Sequence, residues 1–363
     1  MKKILTLLLA LWMLTGCVAM AAGNQLVVGS TTAMSGAFFT DLFGSNTADI
    51  DVRALLHGYN LMSWDHETGT YQINDSVVAG MAVSRDAQNN RVYTFDLYGD
   101  LKFSDGSAIT AKDYAFSILL TASPELAKLG GQSAAVGAIL GMDAYQSGKS
   151  SVLRGVRLLS DTQMSITISK AYEPYFYEMA LFDYSPYPIS VLAPGCKVVD
   201  TEKGVGIVNA SGTGTAIFTA DLLQKTILDA ATGYMSHPSV VSGPYTLTSY
   251  DAQSGTASFA INPYYKGNED GEKPTIETIV YRSVANDEAI DLLLSGEVDL
   301  LNKMVAADTV SKGIQSIADQ PFSVANYPRS GLSMISFSCE RQTVSSKAVR
   351  QAIASCFDRD ALV

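Results

Sequence analysis

Ser242-Gly243-Pro244-Tyr245-Thr246-Leu247-Thr248-Ser249-Tyr250, then the turn residues Asp251-Ala252-Gln253-Ser254-Gly255, then Ala257-Ser258-Phe259-Ala260-Ile261, reads as two strands joined in a hairpin. Asn262-Pro263-Tyr264-Tyr265-Lys266-Gly267-Asn268 is a loop, because proline cannot donate to a ladder and Gly and Asn tolerate turn backbone. Residues 275–284 predict a further strand, with Ile276, Thr278 and Val280 on one face and Ile279 and Tyr281 on the other. Both faces carry apolar groups, as in a strand covered on two sides. A helix follows, capped by Asn286 or Asp287, with Ala289, Leu292 and Leu293 on its apolar stripe and Gly296 as its stop. Glu297-Val298-Asp299-Leu300-Leu301 then re-enters the sheet. A strand, helix, strand crossover of this kind is the unit of an α/β domain.

The rest of the chain surrounds that unit. At 363 residues it exceeds the usual single core, so two or more lobes are expected. With 47% hydrophobic and 17% charged residues, it can bury a sizeable interior. A net charge of −11, with no basic run after Lys3, argues against a nucleic-acid partner, which needs clustered Lys and Arg.

Lys2 and Lys3 precede an apolar run over residues 4–14, too short to span a bilayer and built like a secretory signal. The run ends in Leu14-Thr15-Gly16-Cys17, which resembles a bacterial lipoprotein signal; cleavage after Ala19-Met20-Ala21 is the alternative. The expectation is a signal peptide over 1–16, lipidation at Cys17, a tether over 17–25, and an extracytoplasmic protein anchored to the cell membrane, at the cell surface or in the periplasm. Of the remaining thiols, Cys196, Cys339 and Cys356, the last shares helical spacing with Val349, Ala352 and Ile353 and is expected to be buried. No Cys or His spacing suits a metal.

In chain order, residues 26–29 predict a buried strand. Gly44-Ser45-Asn46-Thr47 leads into a helix over 48–59, with Ile50, Ala54, Leu55 and Tyr59 on its inner face and Asn46 or Thr47 as cap. Such a loop can present amides to a ligand or serve only as a cap. Residues 77–83 and 91–97 predict strands about the turn 84–90. Gly99-Asp100-Leu101-Lys102-Phe103-Ser104-Asp105-Gly106-Ser107 and Ile109-Thr110-Ala111-Lys112-Asp113-Tyr114-Ala115-Phe116-Ser117 then give a tight Asp-Gly turn and a helix with Thr110 and Asp113 in a capping box. Residues 127–141 predict partial helix, 156–168 two short strands about Ser160-Asp161-Thr162, 204–214 a Gly-rich loop, and 220–231 a helix with Leu222, Leu223 and Ile227 inward.

The run over 91–117 resembles the signature of the bacterial extracellular solute-binding family 5, the oligopeptide-, dipeptide- and nickel-binding lipoproteins of ABC importers. Tyr98 departs from it, standing where the family usually has Lys or Arg. The resemblance continues in the aromatic and proline passage 172–188, whose tyrosines can stack on a ligand, with core packing the plainer account. It continues further in Ser242-Gly243-Pro244-Tyr245, Asn262-Pro263-Tyr264-Tyr265 and Ser295-Gly296-Glu297-Val298-Asp299-Leu300. A last block comprises a strand over 332–338, a helix over 344–353 and Asp358-Arg359-Asp360.

The resemblance implies an α/β, two-lobe periplasmic-binding-protein-like fold, class II and cluster C in type, with an inserted subdomain. The first lobe would comprise 26–43 and 152–301, the insertion 44–151, and an incomplete second lobe 302–363. Family members continue further, so a truncated product is expected, with exposed apolar surface and an unfinished sheet after Asn302. The resemblance also implies a solute held between lobes that close by a hinge, most commonly a short peptide, and a permease partner that recognises the liganded form. No cofactor is implied. Candidate contacts are Gly44, Ser45, Asn46, Tyr281 and Ser283.

The rival classes are a sensor or adhesion module on the same fold and, last, an exported hydrolase. His57, His66 and His237 are the only histidines, and no G-x-S-x-G, S-x-x-K or H-E-x-x-H occurs. His57 and His66 read as surface or capping residues.

Overall fold

The computed structural model describes residues 24–44, 46–132, 137–316, 320–326 and 334–358, in two compact units, Met1–Lys312 and Gly313–Val363. The larger unit is built on a five-stranded sheet of β1 (Gln25–Ser30), β2 (Tyr245–Asp251), β3 (Thr256–Ile261), β4 (Thr278–Ser283) and β5 (Leu300–Asn302), in the order β2-β3-β4-β1-β5. The hairpin β2–β3 and the pair β3–β4 are antiparallel, whereas β1 runs parallel to both its neighbours. Three helices matter most: α1 (Thr47–Leu56), α2 (Ala111–Thr121) and α3 (Ala289–Ser295).

The expected crossover is present, with α3 carrying the chain from β4 to β5 while β1 fills the place between them. Gly296 ends α3 at φ 79°, a left-handed value that glycine adopts without a Cβ clash. The helix starts later than expected, with Glu288 at the cap position and no side-chain cap bond, so neither Asn286 nor Asp287 serves. Val27, Leu292 and Leu301 pack about Val284, Ala289 and Val298 on one face of the sheet. On the other face Val28, Ile279, Tyr281 and Phe259 meet Phe38 and α1. Phe38 and Phe259 are wholly buried, each stabilising the fold by about 2–3 kcal/mol.

Asn46 caps α1, but the expected inner face is out of phase: Ala48, Val52 and Leu56 are buried and Ile50 is 48% exposed. The helix stops at Leu56 with His57 extended, so Tyr59 reaches the interior from outside it, at φ 58°.

A second core lies within the same unit. Strands Val78–Arg85, Arg91–Leu97, Gln163–Ile168 and Val156–Leu158 form one sheet, in that order, and Val152–Leu153, Gly204–Asn209 and Cys196–Thr201 another. Helix α2 packs against strands of both, with nine of its eleven residues buried. Asp113 accepts from the Thr110 amide at 2.8 Å and the Thr110 hydroxyl at 2.9 Å, realising the capping box. Helix α1 joins the core of the five-stranded sheet, while residues 152–209 share the core of α2.

Other expectations change too. Residues 204–209 form a central strand, not a loop, because Gly204 passes so close to its neighbour that a Cβ would lie 2.4 Å from the Leu153 carbonyl oxygen. Among the described residues of 127–141, only the end of the helix Pro124–Lys128 is α-helical, Ile139 bridges Ile168, and the helix after Thr219 stops at Thr226. The aromatic passage is not core at its start: Tyr172, Tyr175, Phe176 and Tyr177 are exposed, Phe176 by 82%, whereas Phe182 is fully buried. At the Tyr98 departure the cation comes from elsewhere in the chain, since Lys266 Nζ lies 4.5 Å from the Tyr98 ring centroid and 2.9 Å from Asp100.

In the smaller unit the described residues 334–338 are not a strand, and helix Lys347–Ser355 buries none of its residues. Among the described cysteines, Cys356 and Cys339 are exposed and Cys196 is buried, so the expected burial of Cys356 fails because no described residue covers its helix. Val324, Met334, Ile335, Val349 and Phe357 are all exposed.

Candidate functional site

In an open sheet with parallel strands, ligands bind beyond the carboxyl ends of the strands. Here β4, β1 and β5 end side by side, Ser30 pairing with Ser283 on one flank and Asn302 on the other. The loop 31–37 leaves β1 at this edge and is tied down by the first turn of α1. Asn46 Nδ2 donates to the Ala33 carbonyl at 2.9 Å, while its Oδ1 accepts from the Asp49 amide at 3.0 Å. The buried Asp49 carboxylate accepts from the Ser35 amide at 2.9 Å and the Ser35 hydroxyl at 2.6 Å.

One turn along α1, Asp51 gathers the strand ends. Its Oδ2 accepts from the Tyr281 hydroxyl at 2.9 Å and from Asn302 Nδ2 at 2.7 Å, and Lys303 Nζ forms an ion pair with Oδ1. Lys303 itself sits at φ 55°, turning the chain as it leaves β5. Burial pushes the Tyr281 phenol up to about 12, with Asp51 adding to the rise and Ser30 and Asn302 opposing it, so the phenol stays a neutral donor at ordinary pH.

The sequence candidates fall around this edge unequally. Ser45 and Cys17 lie outside the described residues. Gly44 is exposed at φ 105°, with its amide donating to the Asp41 carbonyl at 2.9 Å. Asn46 spends its side chain on the loop and the cap. Tyr281 and Ser283 lie on β4, and Ser283 Oγ is buried without a hydrogen-bond partner, although its amide donates to the Gly255 carbonyl at 2.8 Å. Asp51, Asn302 and Lys303 were not singled out from sequence. Asn302 and Lys303 directly follow the crossover and could have been reached by asking what lies at the strand ends; no local signal marks Asp51.

This arrangement offers hydrogen bonds and a fixed backbone, and its carboxylates, Asp49 and Asp51, are engaged by Ser35, Tyr281, Asn302 and Lys303. His57 packs against Phe39 and Tyr234 and donates from Nε2 to the Phe38 carbonyl at 2.9 Å. Burial lowers its pKa to about 4, so it is neutral at pH 7. Among the described residues, no group of three or more His, Cys, Asp or Glu could hold a metal ion, and no helix is long and apolar enough to cross a membrane.

The sequence model of bacterial extracellular solute-binding proteins, family 5 Middle, matches residues 76–363, and the chain belongs to that family. It is 27% identical over 233 residues to the oligopeptide-binding protein OppA of Lactococcus lactis subsp. lactis (strain IL1403), covering 63% of this chain and 32% of that protein. Over 111 residues it is 33% identical to the periplasmic oligopeptide-binding protein OppA of Escherichia coli (strain K12), covering 30% of this chain and 20% of that protein. Lactococcal OppA complexed with an endogenous peptide in the closed conformation superimposes with a TM-score of 0.57 at 21% identity, over 82% of this chain and 48% of that one. That likeness shows the fold, the α/β architecture of two-lobe periplasmic binding proteins. The chain spans about half the length of that structure and no more than 32% of either sequence relative.

Proposed function

We propose that this chain carries the solute-capturing part of an extracytoplasmic binding protein, that its solute is a short peptide, and that it hands the peptide to the permease of an ABC importer. Family membership supports capture of a solute, and the relatives' description as oligopeptide-binding proteins supports a peptide. The observation that carries the reading is the polar edge at the ends of β1, β4 and β5, where the Ser283 hydroxyl is buried and unpartnered on the strand that pairs with β1. A peptide backbone, with a donor and an acceptor in every residue, suits such an edge.

In this reading Tyr281 and Ser283 face the solute from the end of β4, and Gly44, Ser45 and Asn46 frame it from the approach to α1. The five-stranded sheet is the core of the first lobe, and the chain after β5 begins the second. Lipid on Cys17 holds the protein at the membrane, and it performs no catalysis. Titration calorimetry of the full chain against a mixed library of di- to hexapeptides, with sugars and nickel as controls, tests the proposal. Heat with peptides alone is the expected result, and silence with peptides alongside a sugar signal would sink it.

A further inference from the structure

A cavity of about 230 Å³ opens in the larger unit between residues 40–42, Ile139, the last residue of α2 and residues 180–187. Thr40, Asp41, Thr121, Asp183, Tyr184 and Tyr187 supply its polar walls, and aliphatic side chains the remainder. No Lys, Arg or His stands among the described lining residues, so two carboxylates face one small space.

The walls are held in place by the fold. The Tyr184 carbonyl accepts from the Leu61 amide at 3.0 Å, and the Tyr187 amide donates to the Asp113 carbonyl at 3.3 Å. The Phe39 ring stands edge-on to Tyr187 at 4.7 Å, and Thr40 Oγ1 accepts from the Leu42 amide at 3.3 Å. Such a cavity is formed before any ligand arrives.

Its charge is uncompensated from within. Asp183 has Asn60 Nδ2 at 2.7 Å as its hydrogen-bond donor, a neutral amide, and burial raises its pKa. Burial raises the pKa of the Tyr187 phenol most; a hydrogen bond with Ser185 opposes the rise, Asp41 and Asp183 add to it, and Arg53, whose guanidinium donates to the Ala37 carbonyl at 2.7 Å, works against them. A half-buried carboxylate without a facing cation is costly, and tyrosine faces attract cations. We propose that this cavity binds a small organic cation of the ammonium class, with its charge toward Asp183 and Asp41 and its alkyl groups against Tyr184 and Tyr187. All the named walls belong to residues 40–187, and the proposal does not rest on the peptide reading.

The test uses the full chain and three probes: choline chloride, n-butylammonium chloride, and 3,3-dimethyl-1-butanol, the neutral isostere of choline. Calorimetry or saturation-transfer NMR should show binding of at least one cation, with choline or n-butylammonium preferred over the alcohol by about tenfold or more, a difference of about 1.4 kcal/mol. The relative affinity of the two salts then separates quaternary from primary ammonium recognition. Asp183→Asn should weaken cation binding about tenfold while leaving the thermal melting curve in place. If that variant fails to fold, Asp41→Asn, at an exposed wall position, decides in its stead. Silence from both cations, equal affinity for the alcohol, or unchanged cation affinity in the folded variants overturns the proposal.

Discussion

Two helices of this chain carry different apolar patterns and meet opposite surroundings: α2 is apolar nearly all round, and helix Lys347–Ser355 is apolar along one stripe. In α2, nine of eleven residues are buried, Tyr114, Phe116 and Ile118 completely. In helix Lys347–Ser355 the stripe of Val349, Ala352 and Ile353 finds no cover among the described residues of its unit, and no residue of the helix is buried. Periodicity states which face of a helix needs covering; only the neighbouring elements supply the cover. An apolar residue therefore has a different energetic meaning in the two places.

The sharpest way to break that comparison is a pair of truncations. Phe116→Ala should destabilise the larger unit by about 3–5 kcal/mol, through lost transfer energy and the cavity left behind. Val349→Ala should stay within about 0.5 kcal/mol, as surface changes do. Urea unfolding of both variants reads the difference, and equal losses would mean the second helix is packed in solution.

Next in size is a pH effect set by burial near α1. His57 titrates near 4 in the fold and 6.5 when free, so the unfolded chain takes up a proton first as pH falls. Stability is thus full above about pH 6.5 and is lost as pH drops toward 4, by on the order of 3 kcal/mol. Asp113 works the other way: its folded pKa is raised by burial from 3.8 to about 6, so stability gained below 3.8 is lost as pH rises through 6. Unfolding free energies of the wild type and His57→Gln between pH 4 and 7.5 should separate the two, the variant losing the acid-side decline. A parallel decline in both proteins would show that His57 is not its source.

Thr110→Ala should cost about 1 kcal/mol by uncapping α2 and leaving Asp113 with one donor fewer, measured as a lowered melting temperature. The smallest effect on stability belongs to the strand ends. Asp51→Asn removes the anion beside Tyr281, so the ultraviolet titration of this phenol should begin at lower pH than in the wild type. An unmoved titration would show that burial alone sets it.

Much of the larger unit was legible because its signals are local. The hairpin over 242–261, the Gly296 stop and the Thr110 capping box depend on residues within a few positions of each other. The misjudged segments depended on distant partners. Gly204–Asn209 reads as a loop by composition and becomes a strand because Leu153 approaches Gly204 too closely for any side chain. The inner face of α1 was set by where the helix starts and ends against the sheet, which its own periodicity leaves open by a residue or two.

For the candidate site the division is the same. Tyr281 and Ser283 could be reached from the crossover pattern, since strand ends in such units face ligands. Asp51 could not, because it meets Tyr281 and Asn302 across 230 and 251 residues of chain.

By itself, then, the amino-acid sequence determined the α/β class, the order of strands and helices around residues 242–301, and the family to which the chain belongs. The tertiary structure decided which apolar faces are covered, which glycines are approached, which groups gather at Asp51 and which line the cavity of Asp41 and Asp183. Propensity, turn chemistry and capping act over one or two turns of chain. Burial and charge pairing act between segments that only folding brings together.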